Sequence, residues 1–149
     1  MKIFLLCFLL AVPCLLFAQM AERIERLLGQ DRVSYRDAAL LVMEASGRID
    51  AAEQVSADDA FSLAAERGWL PKGAKAEGDA KLNGVSLLVI RAFDINGGAL
   101  FSLFKNPHYA YRAMVYRGII QGRSDPQMAV SGGLLLFTVN RALGIGGGE

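Results

Sequence analysis

An internal repeat with a period of 50 residues is the feature of this sequence that most restricts how the chain can fold. Aligned with itself at that offset, the chain matches residues of similar type in the same order. The matched pairs are Ala60 and Ala110, Phe61 and Tyr111, Arg67-Gly68 and Arg117-Gly118, Trp69-Leu70 and Ile119-Ile120, Val89 and Val139, Arg91-Ala92 and Arg141-Ala142, and Ile95 and Ile145. Because one such unit is too small to bury its apolar face alone, repeated units pack against one another. The sequence therefore predicts stacked helix-loop-helix repeats.

Local signals divide each unit into two helices. Ser34 with Asp37, and Ser56 with Asp59, have the spacing of a helix-capping box, and Pro107 suits the first position of a helix. Glycines at fixed places end these segments. The predicted helices span 21–28, Tyr35–Ala45, 56–68, 84–93, 107–117 and 131–143, and the sequence contains no convincing pair of alternating strands. We therefore predict an all-α, mostly helical fold, with the conformation of residues 99–104 left open.

The same signals divide the chain into four parts. Residues 1–18 are predicted to be a signal peptide, 19–32 an N-terminal helix and linker, 33–145 the repeat domain, and 146–149 a flexible tail. Within the repeat domain the units span about 33–50, 56–95 and 107–145. The first unit is thus represented only by its second helix.

The first 18 residues have the order of parts of a secretory signal. Lys2 is followed by an uncharged apolar run from residue 3 to residue 17 and then by Ala18, after which we place the cleavage site. The run is shorter than the roughly 20 residues that cross a bilayer. Export to the periplasm or the cell surface of a bacterium is therefore expected. A lipid anchor on Cys14 is the alternative, although Pro13 stands where a lipoprotein signal has a small residue.

The composition of the remaining chain argues against several classes of function. Removing Lys2 from the 16 Lys and Arg residues leaves 15, equal to the 15 Asp and Glu residues, whereas nucleic-acid binding needs concentrated positive charge. Both cysteines lie in the signal, which excludes a disulfide framework and a thiol nucleophile. His108 is the only histidine, without carboxylates spaced for a metal site. We expect no catalysis, no metal, no cofactor and no transmembrane span in the mature chain.

The last unit carries a series of residues in an order typical of a known family. These residues are Ala110-Tyr111, Met114, Gly118-Ile119-Ile120-Gln121-Gly122, Asp125 and Val130-Ser131, with looser copies at Ala60-Phe61, Ala64, Gly68-Trp69-Leu70 and Val33-Ser34. They resemble the S-layer homology repeat of bacterial envelope proteins, in which A-I-x-x-L-x-x-x-G-I-I-x-G, a loop aspartate and V-T-R-A-E follow one another. The resemblance covers most of residues 33–145. It implies a structural or anchoring module whose partner is a cell-wall polysaccharide or peptidoglycan, or an envelope protein.

The chain departs from that family where its members hold the polysaccharide. The arginine of V-T-R-A-E is replaced by Gly132 in the last unit, and its glutamate by Leu134. In the first unit Tyr35 stands in the arginine place and Arg36 follows one residue late. A protein-interaction adaptor that has lost the glycan site is therefore the alternative function.

Aromatic and charged residues near the loops are the candidates for contact with a ligand. Aromatic faces together with arginine forks suit sugars and acidic polymers, because stacking and paired hydrogen bonds act on the same ligand. On this basis we select Trp69, Tyr109, Arg117, Arg123 and Asp125 as ligand-binding candidates. Trp69 also occupies an apolar position of the repeat, so a place in the core is the competing interpretation.

Two phenylalanines lie in the segment between the second and third units. Phe101 and Phe104 would either cover the seam between units or form an exposed patch for a partner protein. The sequence leaves both alternatives open.

Overall fold

A computed structural model describes residues 19–146 of the chain. Residues 1–18, which are predicted to be a signal peptide and include Cys14, and residues 147–149 of the predicted tail lie outside the described residues. The helices are α1 (residues 19–28), α2 (Tyr35–Ala45), α3 (Ala57–Glu66), α4 (Leu82–Ala92), α5 (Gly98–Phe104), α6 (Pro107–Tyr116) and α7 (Gly132–Gly146), with a short 3₁₀ helix at Ala51–Glu53. The predicted all-α fold is confirmed. Gly146, assigned to the tail from the sequence, is still helical.

The helix starts follow from the capping residues. The Ser34 and Ser56 side chains accept hydrogen bonds from the N–H groups of Asp37 and Asp59, at 3.2 and 3.1 Å. Both therefore satisfy an N–H that the first helical turn leaves without a partner, as predicted. The sequence analysis missed a third cap, because Asn106 accepts from the Tyr109 N–H at 3.1 Å just before Pro107.

The helix pairs α3–α4 and α6–α7 recur with the 50-residue offset seen in the sequence. The bounds of α3 and α6 differ by that offset at both ends, and α4 and α7 begin 50 residues apart. Gly68 and Gly118, two residues after these first helices, have φ values of +68° and +69°. A left-handed backbone of this kind favours glycine, which explains the two stops. The segment 99–104, left open from the sequence, is helical and belongs to α5 between the two pairs.

Val33, Ala80 and Val130 form a closed ring of backbone hydrogen bonds in the interior. The Val33 N–H donates to the Val130 carbonyl at 2.8 Å, the Val130 N–H to Ala80 at 2.9 Å, and the Ala80 N–H to Val33 at 2.8 Å. All three side chains are fully buried. Each residue lies two positions before a helix, α2, α4 or α7. The helices α2, α4 and α7 thus begin at one ring.

The core lies among these three helices. α2, α4 and α7 contact one another, α3 packs on α2, and α6 packs on α4 and α5. The largest fully buried side chains are Met43, Leu82, Leu88, Ile90, Met114, Ile119, Leu135, Val33, Val42, Val85, Val89 and Val130. α5 buries only Phe101 and leaves its other face outside this core. Among the described residues, no helix combines the length and the apolar character needed to cross a membrane.

Candidate functional site

Tyr35 and Gly132, which stand where the resembled repeat has its arginine, and Leu82, 50 residues before Gly132, are all buried. Tyr35 is 6% exposed, Leu82 is fully buried, and Gly132 is buried as well. Their backbone N–H groups donate to carbonyls in the segment before another of the helices α2, α4 and α7: Tyr35 to Gly78 at 3.0 Å, Leu82 to Met128 at 3.0 Å and Gly132 to Gln30 at 2.9 Å. A ligand therefore has no access to these positions, which stabilise the junctions between units instead.

Tyr35 is the titratable group, among the described residues, whose pKa departs clearly from its usual value. Its hydroxyl accepts a hydrogen bond from the Lys81 N–H at 3.3 Å. Burial raises the pKa of this hydroxyl, and the hydrogen bond from Lys81 lowers it by less. Gly84 packs directly against the Tyr35 side chain, because a Cβ at that position would lie 2.4 Å from the Tyr35 hydroxyl oxygen. Tyr35 is therefore a neutral, structural residue at ordinary pH.

Trp69 is half-buried and lies close to two guanidinium groups. The Arg67 guanidinium carbon is 4.9 Å from the ring centroid and that of Arg48 is 5.7 Å away. Arg48 also donates to the Ala92 carbonyl at 2.8 Å and pairs with Asp94. Cation–π contacts of this kind stabilise partly exposed aromatic rings. The cluster combines an aromatic face with two arginines, although Arg48 was not among the residues selected from the sequence.

The selected residues of α6 have separate neighbours. Tyr109 is half-buried and stacks on Phe104, with ring centroids 5.0 Å apart. Arg117 is exposed, and its Nε donates to the Asn96 carbonyl at 2.6 Å. Arg117 thus fixes the segment before α5 to the end of α6.

Arg123 and Asp125 share the loop between α6 and α7. Both are exposed, and one carboxylate oxygen of Asp125 accepts from the Gln127 N–H at 2.8 Å. The Tyr111 hydroxyl donates to the Ser124 carbonyl at 2.7 Å and holds the same loop against α6. The structure therefore brings Arg123 and Asp125 into one loop, while Trp69 belongs to the corresponding corner of the other unit.

An apolar surface, missed as a unit by the sequence analysis, lies on α5 and α6. Its exposed members are Leu100, Leu103, Phe104 and Tyr116, of which Leu103 is 74% and Tyr116 93% exposed. We call these four residues, together with Arg112, the α5–α6 surface. Leu100, Arg112 and Tyr116 line a shallow groove of about 270 Å³ on it. Of the two phenylalanines left open from the sequence, Phe101 is buried and Phe104 is exposed.

Charge is distributed unevenly between the two parts of the described chain. Residues 19–94 contain 13 carboxylates and 10 cations, whereas residues 95–146 contain Asp125 against five cations. These cations are Lys105, Arg112, Arg117, Arg123 and Arg141, and none forms an ion pair with a carboxylate among the described residues. No carboxylate occurs between Asp94 and Asp125. Although the net charge of the chain is near zero, the region around α5 and α6 is therefore basic.

Comparison with family models, with curated proteins and with solved structures finds no match to the chain. Among the described residues there is also no group of three or more His, Cys, Asp or Glu side chains placed to hold a metal ion.

Proposed function

We propose that the protein is an exported, non-catalytic interaction module of the bacterial cell envelope that binds another envelope protein. The observation that carries this proposal is the α5–α6 surface, where large apolar side chains project into solvent next to unpaired cations. Large exposed apolar groups that are gathered on one surface are typical of sites of protein–protein interaction. The export of the module rests on the sequence pattern of residues 1–18.

The proposed partner presents an acidic and apolar segment to this surface. Tyr116 would be the main anchor, because tyrosine, tryptophan and arginine are enriched among the residues that contribute most of the binding energy at interfaces. Leu103 would add buried apolar area. Arg112 lines the groove together with Leu100 and Tyr116 and would pair with a carboxylate of the partner. The burial of the positions that correspond to the arginine of the resembled repeat supports a protein partner over a polysaccharide held at those positions.

Photo-crosslinking in intact cells tests this proposal. A photoreactive amino acid at Leu103 should give an adduct of discrete mass, and Arg112→Glu should reduce that adduct because it repels an acidic partner. Met128 provides the matched control position. It is 38% exposed and lies next to Leu82, at the end of α4 farthest from α5. Equal adducts from both positions, or no effect of Arg112→Glu, would contradict docking on the α5–α6 surface.

Binding of a wall glycan is the second candidate function. It is favoured by the cluster of Trp69 with Arg48 and Arg67, which offers an aromatic face and guanidinium groups together. The mature protein should then be retained on purified peptidoglycan or wall polymer at low salt, and Arg67→Ala should weaken retention. Arg141→Ala serves as the control for loss of one positive charge. No retention of the wild-type protein at low salt would rule this candidate out.

A further inference from the structure

A second cleft shares Gly97 and Phe101 with the groove on the α5–α6 surface. It is formed where α4 ends and α5 begins, and it has a volume of about 500 Å³. Its lining residues are Arg91, Ile95, Asn96, Gly97, Phe101, Ser102 and Lys105. A volume of this order is within the range of small-molecule sites in proteins, about 300–1,000 Å³.

Arg91 is the central charged group of this cleft. It is half-buried, its Nε is buried without a hydrogen-bond partner, and its guanidinium lies 5.4 Å from the centroid of the Phe101 ring. No carboxylate among the described residues pairs with it. A partly desolvated cation without an ionic partner is unfavourable, so proteins rarely retain one without a compensating group.

Other positive charge converges on the same cleft. Lys105 lines it and is held in a left-handed conformation, with φ at +47°. Arg117 donates to the carbonyl of Asn96, another lining residue. The nearest carboxylate in the sequence is that of Asp94, and it pairs with Arg48. The electrostatic field in the cleft therefore favours an anion.

We propose that this cleft binds the carboxylate of a small acidic sugar. The planar guanidinium of Arg91 offers paired donors that match the two oxygens of a carboxylate, and Lys105 adds a second charge. Ser102 and Asn96 line the same cleft, and their side chains would supply hydrogen-bonding partners for sugar hydroxyls. Asn96 already accepts from the Gly98 N–H at 2.9 Å through Oδ1, which leaves its amide nitrogen as a donor.

The internal repeat supplies a comparison for this site. Arg141 is the equivalent of Arg91 at the 50-residue offset, and its guanidinium lies over Phe137 of its own helix. Arg91 instead lies over Phe101, which belongs to α5, a helix found between the two pairs. The cleft therefore depends on α5, and Arg141 is the matched control.

The proposal is tested by titrating the mature protein with glucuronic acid and following the Arg91 Nε–H signal by NMR. Glucuronic acid should shift this signal at millimolar concentration, and neutral glucose should not. Acetate should bind at least about tenfold more weakly, because it lacks the ring hydroxyls. Arg91→Lys should weaken glucuronic acid binding by about tenfold or more, since a lysine loses the planar fork. Arg141→Lys should leave the affinity unchanged within about twofold.

A variant at Lys105 separates binding from folding. Lys105→Gly should raise the melting temperature, because glycine adopts a positive φ without strain, and should weaken glucuronic acid binding severalfold because a charge is lost. Three results would overturn the proposal: no glucuronic acid binding by the wild-type protein, equal binding of glucose, or unchanged affinity in Arg91→Lys. If N-acetyl-alanine binds more tightly than glucuronic acid, the ligand would be a peptide carboxylate and the proposed acidic sugar would be wrong.

Discussion

Substitution of alanine for Gly132 is the sharpest test of how the three units meet. Gly132 is the first residue of α7. A Cβ at this position would lie 1.6 Å from the Leu27 carbonyl oxygen and 2.5 Å from the Leu27 carbonyl carbon. Because these are backbone atoms, no side-chain rotation relieves the overlap. α1 and α7 would have to separate.

The expected loss of stability follows from three contributions. Forcing an extra methyl group into a filled site costs up to about 3 kcal/mol. Separation of the segments also removes the hydrogen bond from the Gly132 N–H to the Gln30 carbonyl, worth about 1 kcal/mol. Replacing glycine by alanine in a helix returns at most about 1 kcal/mol. Gly132→Ala should therefore lower the free energy of unfolding by about 3 kcal/mol.

Gly133→Ala is the matched control for this measurement. A Cβ at Gly133 meets no atom within 4 Å, so the same substitution one residue later should stabilise the protein by up to about 1 kcal/mol. Urea unfolding of both variants, followed by far-UV circular dichroism, should give opposite signs. Equal or greater stability of Gly132→Ala would refute the contact between α1 and the start of α7.

Three further predictions concern the starts of α2, α4 and α6. Tyr35→Phe should cost about 1 kcal/mol at neutral pH through loss of the hydrogen bond to Lys81. Since the folded-state pKa of Tyr35 is raised, its contribution is present below the unfolded value near pH 10 and is lost as pH rises above it. As the pH rises above 10, the free energy of unfolding of Tyr35→Phe should therefore fall less than that of the wild-type protein. An equal decrease in both proteins would contradict this. Asn106→Ala should lower the free energy of unfolding by about 1 kcal/mol in urea, because it removes the cap of α6. Lys81→Ser should raise it by a similar amount, because α4 starts without a side-chain cap. An unchanged free energy of unfolding in either variant would contradict the prediction for that cap.

Part of the fold was predictable because its signals are local. Ser34 and Ser56 start helices through bonds to groups three residues away, and Gly68 and Gly118 end them through their own backbone conformation. The start of α4 was placed two residues late, at Gly84, because Lys81 gives no capping signal. The conformation of residues 99–104, which belong to α5, was not predicted, because this short apolar sequence has no periodicity that distinguishes a helix from a strand.

The candidate surfaces were predictable only in part. Trp69 was selected, but its neighbour Arg48 comes from the end of another unit, and sequence spacing does not reveal that contact. The exposure of Leu103 depends on which face of α5 packs against α6. The sequence does contain one signal for the basic region, because no carboxylate occurs between Asp94 and Asp125. The net charge of the whole chain does not show it, whereas the charge of this segment does.

The sequence by itself determined the helical class, the 50-residue period and most helix boundaries, because caps, glycines and apolar spacing act over a few residues. Only the tertiary structure decided that Val33, Ala80 and Val130 join in one ring, since those hydrogen bonds connect residues 47 to 97 positions apart. The ring in turn buries Tyr35, Leu82 and Gly132. It thereby closes the positions at which the family resemblance had implied ligand contact, and leaves the basic region around α5 as the accessible surface.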